Sequence, residues 1–400
     1  MTDWLRVRRI PGSGTFALRV WFPCGALDEH LPGLAYLTGH ALAEGTQRRD
    51  WLQVAVDLED QGMSLSTFGS LELFGLSLDG MVSDWQRGLD WASELIFEPS
   101  FTEERVDWLR QQTVAEIDSL SDQPDVVTGW RFLRQLYPGH PAGRPIQGDR
   151  ESLNALSADD CRSFHRRALE RQPLVAVAGG LTESEVTAAL ESRFAVPGPP
   201  HRAVRSLPEA SPRTTADVKT SARDQAHLFL GHLTVARDHE DLAALELLGV
   251  VMGAGSGLSG RIPQRIREEE GLAYTAQTNP LSGASKVRGR LVIYLGTAEE
   301  NLTQAEASVR DELQRLLRDG VSADEFEGAK AYLLGREPFR QETARQWGDL
   351  LAQAAYFETP WDDPEWRRRR LQEVTREEVE RAARTHLHPD QLHVTRGLPR

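Results

Sequence analysis

Cysteine is scarce in this chain of 400 residues, with only Cys24 and Cys161 present. Two thiols exclude a disulfide framework and a cysteine-rich metal site. No apolar run approaches the length of a membrane span, and the opening Met-Thr-Asp-Trp-Leu-Arg-Val-Arg-Arg-Ile-Pro has no apolar signal core. A cytoplasmic protein with no membrane partner is expected. Positive charge is in deficit, with 46 Lys and Arg against 60 Asp and Glu and a formal net charge of −14 at pH 7. That balance argues against sequence-independent nucleic-acid binding, which neutralises phosphates with Lys and Arg. The basic cluster 367–370 is short and reads as a solvated helix face. An acidic surface of this kind serves solubility, and it also suits basic peptides.

The length accommodates two or three domains, each large enough to bury its own core. The sequence repeats itself once. The segment beginning at Gly25 aligns with the one beginning at Val235, pairing Ala26 with Ala236, Asp28 with Asp238, Leu37 with Leu247 and Gly39 with Gly249. Strand-like runs at 16–22 and 226–231 precede the two copies. Later, Leu156-Ser-Ala-Asp-Asp-Cys aligns with Val374-Thr-Arg-Glu-Glu-Val, each an N-cap Ser or Thr with acids in the first turn, and each helix leads into a second apolar run at 174–178 or 392–395. Between the copies, 196–213 holds Pro197, Pro199, Pro200, Pro208 and Pro212 and reads as an extended linker. The expected domains are therefore 1–195 and 214–400. In each, a strand-like stretch (64–78; 274–278 and 289–296) precedes long amphipathic helices (84–96 and 103–119; 302–318 and 323–334). Strands followed by helices mean α+β, with helices packed on one face of a mainly antiparallel sheet.

The stretch 33–46, Gly-Leu-Ala-Tyr-Leu-Thr-Gly-His-Ala-Leu-Ala-Glu-Gly-Thr, carries a lone His40 beside Leu34, Leu37 and Leu42. By itself His40 reads as a half-buried, hydrogen-bonded side chain. The stretch resembles the metal helix of the pitrilysin/insulinase family of inverted-motif zinc peptidases, which includes mitochondrial processing peptidase. There His-x-x-Glu-His sets two imidazoles on one helix face around Zn²⁺ and places a Glu to work on the bound water. Here those positions are Tyr36, Gly39 and His40. Glu116, in Thr-Val-Ala-Glu-Ile-Asp, resembles the family's third ligand. One His and one carboxylate fall short of the three protein ligands zinc needs, so no metal is expected in this chain. The loop 139–148 looks like the family's His-Pro-x-Gly-x-Pro-x-x-Gly; it reads as scaffold, with His140 a turn residue.

The second chemical stretch is 252–275. A Gly-rich loop (253–260) leads into Arg261-Ile-Pro-Gln-Arg-Ile-Arg-Glu-Glu-Glu and then Gly271-Leu-Ala-Tyr274. The loop lacks the Gly-Lys-Ser/Thr of a P-loop and the context of a dinucleotide fold, so no nucleotide cofactor is expected. The segment is similar to the family's Ser-x-Arg-Leu-x-x-x-Leu-Arg-x-x-x-Gly-Leu-Ala-Tyr. The resemblance implies that Arg267 and Tyr274 hold a peptide substrate and stabilise its tetrahedral intermediate, and that Gly253, Gly255 and Gly257 touch it. A guanidinium donates forked hydrogen bonds to a carbonyl, and a phenol can meet an oxyanion. Taken without the resemblance, Arg267 is a surface residue paired with a nearby Glu, and Tyr274 starts a strand with its ring in the core.

The resemblance spans nearly the whole chain and implies two homologous half-domains forming a clamshell half. It implies a non-zinc subunit of a heterodimeric metallopeptidase, inactive alone, whose zinc-motif paralogous partner holds the metal and whose substrate is a peptide or unfolded polypeptide. The alternative is a structural or interaction protein of the same fold without hydrolysis, as in the respiratory-complex core proteins. A self-sufficient hydrolase using His40, Glu116 and a stray His ranks third. His386 and His388 read as a helix end before Pro389. The internal duplication also admits a homodimer of the isolated chain.

Overall fold

The computed structural model describes residues 4–194, 213–221, 225–255, 259–360, 363 and 365–399. All of the expected linker 196–213 except Arg213 lies outside these residues.

The first sheet comprises β1 (Leu5–Arg9), β2 (Thr15–Phe22), β3 (Ser64–Gly69), β4 (Phe74–Met81) and β5 (Leu174–Gly179), in the order β1-β5-β2-β4-β3. The second comprises β6 (Thr215–Lys219), β7 (Ala226–Leu233), β8 (Ala273–Ser282), β9 (Arg290–Thr297) and β10 (His393–Leu398), in the order β6-β10-β7-β9-β8. Strand for strand the second order repeats the first. Only β1 with β5 and β6 with β10 pair in parallel; the other neighbours are antiparallel. The duplication and the mainly antiparallel α+β class are thus seen in the topology. The strand-like stretch expected over 64–78 is a hairpin, because the Ser70 and Leu73 backbones bond to each other at 2.7 Å and turn the chain between β3 and β4.

The first half of the sequence contributes α1 (Leu34–Ala41), α2 (Trp51–Asp60), α3 (Trp85–Phe97), α4 (Glu103–Ser121), α5 (Pro124–Leu136), α6 (Arg150–Ala155), α7 (Ala158–Leu169) and α8 (Glu183–Phe194). The second half contributes α9 (Leu242–Met252), α10 (Arg261–Pro263), α11 (Leu302–Asp319), α12 (Ala323–Arg336), α13 (Ala344–Phe357), α14 (Trp366–Glu373) and α15 (Arg376–His386). The repeated Ser and Thr signals form capping boxes, Ser157 with Asp160 on α7 and Thr375 with Glu378 on α15. Each satisfies two orphan donors at a helix start. No helix among the described residues is long and apolar enough to cross a membrane.

Both faces of β2 are covered, because side chains alternate across a strand. Phe16, Leu18, Val20 and Phe22 are wholly buried. Phe16 meets Trp85 of α3 edge-on, and Phe22 adjoins Phe74, which meets Phe164 of α7. The opposite face, with Ala17 and Arg19, receives α13, where Trp347, Leu351 and Ala352 pack on Ala176 and Ala178. The second sheet mirrors this. Leu228 and Leu230 face the main core, whereas Phe229 stacks near Phe132 of α5 with ring centroids 5.7 Å apart. Each sheet therefore takes one covering helix from the other half of the sequence.

The compact units follow this exchange. Unit 1 is Met1–Ile117, Pro145–Ala203 and Pro338–Asp363; unit 2 is Asp118–Arg144, Val204–Glu337 and Pro364–Arg400.

Candidate functional site

Helix α1 in unit 1 starts where Gly33 adopts φ +89°, a conformation that suits glycine, and a Cβ there would lie 2.4 Å from the Gln147 carbonyl oxygen. Instead of an N-cap side chain, the Glu29 carboxylate accepts the Gly33 amide at 3.2 Å and the Ala35 amide at 2.9 Å. An anion at that end also complements the helix dipole. With Leu34, Leu37 and Leu42 fully buried, the orientation of the helix is fixed. Tyr36 and His40, one turn apart, share a face, and their rings lie 4.3 Å apart.

Glu116 of α4 reaches this pair. Its Oε2 accepts the Tyr36 hydroxyl at 3.2 Å, and its Oε1 accepts the Gln147 side-chain amide at 3.4 Å. Burial, with Glu116 adding to it, pushes the Tyr36 phenol up to about 12, so it remains a proton donor. Burial lowers His40, and Glu116 opposes that shift. Three of the four degenerate zinc positions thus converge, and what they present at neutral pH is a neutral imidazole, a protonated phenol and a carboxylate. Such a set offers a divalent cation two ready ligands.

The fourth position, Gly39, is sterically closed. A Cβ on Gly39 would lie 2.2 Å from the Gly69 nitrogen and from the Phe68 carbonyl carbon, and a Cβ on Gly69 would lie 1.8 Å from the Ala35 oxygen. Helix α1 and strand β3 touch backbone to backbone, so the place of the family's general-base Glu admits no side chain. Gln147 was not singled out in the sequence. It stands in the loop read as scaffold, where His140 does serve a turn, its Nδ1 accepting the Ala142 amide at 3.1 Å.

The other group lies in unit 2. The helix expected from Arg261 is the single turn α10 followed by a π-helical stretch, Gln264–Glu269. Single π turns are often found at functional sites. Two of its cations fasten it down. Arg261 forms a forked pair with Glu325 of α12 at 2.6 and 2.8 Å, and Arg265 meets Glu270 at 2.7 Å and Asp311 of α11 at 2.5 Å. Arg267 differs, pairing at 3.1 Å with its exposed neighbour Glu268.

Tyr274 is 89% exposed, so its ring is not in the core. It stands where the β8–β9 register slips, between Ala273 opposite Thr297 and Thr275 opposite Gly296. Strand β8 is the sheet edge. A bulge at an edge leaves one residue outside the ladder and re-aims its side chain, which accounts for the projecting phenol. In the Gly-rich loop, Gly253 has φ +126° and stands so near Gly260 that a Cβ on Gly260 would lie 2.5 Å from the Gly253 backbone. Among the described residues, the atoms nearest the place of a Gly255 Cβ belong to Tyr332 and Val250, all beyond 3.5 Å, while Gly257 lies outside the described residues.

Residues 8–150 match the family model for insulinase (peptidase family M16), and residues 155–333 match the peptidase M16 inactive domain. The chain belongs to the M16 peptidase family. Among M16 relatives, an uncharacterized zinc protease of Mycobacterium leprae is 27% identical over 382 residues, 92% of this chain and 84% of that one. The non-peptidase homolog YmxG of Helicobacter pylori is 27% identical over 79% of this chain and 73% of its own. The crystal structure of a peptidase M16 inactive domain from Pseudomonas fluorescens superposes with TM-score 0.90 at 23% identity, covering 100% of this chain and 97% of that chain. A protease of Helicobacter pylori does so with TM-score 0.86 at 16% identity, covering 100% and 98%. These structures share the fold. This chain is a peptidase-like M16 protein without the family's zinc motif.

Proposed function

We propose that the chain is the non-zinc subunit of a two-chain M16 peptidase. A paralogous partner with an intact His-x-x-Glu-His supplies the zinc, and this chain binds a peptide or unfolded polypeptide. Arg267 would hold a substrate carbonyl, Tyr274 would donate to the tetrahedral oxyanion, and Gly253 and Gly255 would line the approach. Placing the carbonyl and stabilising developing charge are sufficient contributions for a subunit that generates no nucleophile. The observation that carries this reading is the Tyr274 phenol, projected by an edge-strand bulge into solvent at 89% exposure. Exposing a tyrosine ring serves no packing purpose. The proposed setting is the cytoplasm, without a membrane or nucleic-acid partner.

The test is peptide hydrolysis by the purified chain, alone and mixed with a zinc-motif paralogue. Cleavage only on mixing supports the proposal, and hydrolysis by the isolated chain overturns it.

One observation favours the alternative, a structural or interaction protein without hydrolysis. Arg267 donates through Nη2 to Glu268, so part of its guanidinium is already engaged as in an ordinary surface ion pair. No hydrolysis in either preparation selects this alternative.

A further inference from the structure

Unit 2 contains a cluster that neither the zinc-helix positions nor the Arg267 and Tyr274 segment uses. Among the described residues, His239, Asp241 and His386 are a group whose ligand atoms all lie within 4.8 Å of one another. His239 and Asp241 sit in the turn that starts α9; His386 is the last residue of α15. Backbone bonds fix the turn: the His239 amide donates to the Ala236 carbonyl at 3.2 Å, the Leu242 amide to the His239 carbonyl at 3.1 Å, and the Leu245 amide to the Asp241 carbonyl at 2.9 Å.

We propose that His239, Asp241 and His386 form a binding site for zinc or a similarly nitrogen-seeking divalent cation. Two imidazoles and a carboxylate are a ligand set that zinc accepts, whereas magnesium and calcium prefer oxygen alone. Ligands about 2.0 Å from a tetrahedral ion stand about 3.3 Å apart. His386 Nε2 lies 2.8 Å from Asp241 Oδ2, and His239 Nδ1 lies 3.9 Å from the same oxygen, so small side-chain rotations bring both into range. The two rings are perpendicular, with centroids 5.0 Å apart. Access is from the His239 side, whose side chain is 36% exposed against 7% for Asp241.

The groups already around these atoms set the competition. Arg381 donates to Asp241 Oδ1 at 2.8 Å, leaving Oδ2 for the ion. A ligating carboxylate is normally oriented by such an outer partner, although the guanidinium charge also weakens the attraction for a cation. The Asp241 amide donates to His239 Nδ1 at 3.1 Å, a bond the ion must displace. In place of the proton shared by His386 Nε2 and Asp241 Oδ2, zinc would join the two residues and release that proton to solvent. Three protein ligands leave one tetrahedral position for water.

The rival reading is an ion pair between α15 and α9 in which His239 has no part. The experiment that separates the two is zinc titration of the chelator-stripped chain by calorimetry, with elemental analysis after dialysis. One zinc per chain, weakened about tenfold or more in His239→Ala, supports the site. His239 is surface-facing, so that variant keeps the fold, and a circular-dichroism melt in the absence of metal verifies this. Cobalt substitution supplies a second readout, since a visible band lost in His239→Ala places the ion on that ring. Absence of binding in the parent chain overturns the proposal. So does full binding in His239→Ala, and so does loss of zinc in His40→Ala instead.

Discussion

Arg19 Nε lies 2.6 Å from Asp349 Oδ1, although 330 residues separate them in sequence. The guanidinium is 1% exposed and also donates to Asp79 at 2.9 Å, to the Leu18 carbonyl at 3.0 Å and to the Arg345 carbonyl at 3.2 Å. The first sheet thus depends on α13, a helix from the far end of the chain. Truncating this side chain removes its buried packing and four hydrogen bonds, costing about 3 kcal/mol, while Asp79 keeps Arg345 at 2.9 Å. Arg19→Ala is expected to lose that much in chemical denaturation. Asp349→Asn should lose far less, since its carboxylate is 44% exposed. A loss under about 1 kcal/mol for Arg19→Ala would show that α13 is held by apolar packing alone.

The zinc helix cannot be repaired by restoring its motif. Tyr36→His would place a second imidazole one turn from His40 and near Glu116, giving three ligands, so zinc content should rise by about one per chain over the parent. No hydrolysis should accompany it. Gly39→Glu, needed for the general base, drives a side chain into the Phe68 and Gly69 backbone, where a Cβ already lies at 2.2 Å. Thermal melts should show Gly39→Glu strongly destabilised, by about 3 kcal/mol or more. A Tyr36→His, Gly39→Glu double variant that folds normally and cleaves peptide unaided would refute the steric account.

Stability should fall as pH drops below 6.5, chiefly through His232. Burial brings this imidazole down to about 4, while its Nδ1 donates to the Leu233 carbonyl at 2.9 Å and its Nε2 accepts the His388 amide at 3.1 Å. A proton on Nε2 would set two donors face to face. Above 6.5 neither folded nor unfolded chain takes the proton. Between 6.5 and about 4 the unfolded chain takes it and the folded chain does not, so stability is lost as pH falls through that window. The full loss is about 3 kcal/mol. Lowered His165 and His388 act in the same direction. Glu325, held down to about 2 by its bond to Arg261, adds its own loss only below 4.5. Melting temperatures between pH 6.5 and 5 isolate the histidines, and His232→Gln should flatten the slope. An unchanged slope in that variant would remove His232 as the cause.

The elements read most directly from the sequence are those defined by neighbouring residues. The repeated capping signals at Ser157 and Thr375, the paired apolar runs that become β2 and β7, and the two altered positions of the zinc helix are all local patterns. What escaped requires convergence. An amphipathic helix shows that it has a buried face but not which sheet will receive it, so nothing marked α5 and α13 for the opposite sheets. Period-two reasoning cannot register the bulge that turns Tyr274 outward, because one extra residue changes the face without changing composition. The approach of Gly39 to Gly69 is likewise invisible until strand β3 is placed. His239 and Asp241 stand two residues apart, a spacing that could have been noticed, but His386 joins them only through the packing of α15 on α9.

The proposed role of Tyr274 is testable without disturbing the fold. At 89% exposure its hydroxyl has no internal partner among the described residues, and Tyr274→Phe should leave the unfolding free energy within about 0.5 kcal/mol of the parent. If the phenol meets the oxyanion, turnover by the two-chain enzyme should fall about 10²- to 10³-fold while substrate affinity changes little. Arg267 should behave differently. Its forked donors would hold the ground-state carbonyl as well, so Arg267→Lys should weaken binding and turnover together. Glu268→Gln removes the negative charge from the 3.1 Å pair and should preserve activity or raise it. These outcomes form a pattern that a surface ion pair and an idle tyrosine would not produce. Equal turnover in Tyr274→Phe and parent would withdraw the oxyanion role; loss of activity in Glu268→Gln would mean that the pair, not the free guanidinium, is the working unit.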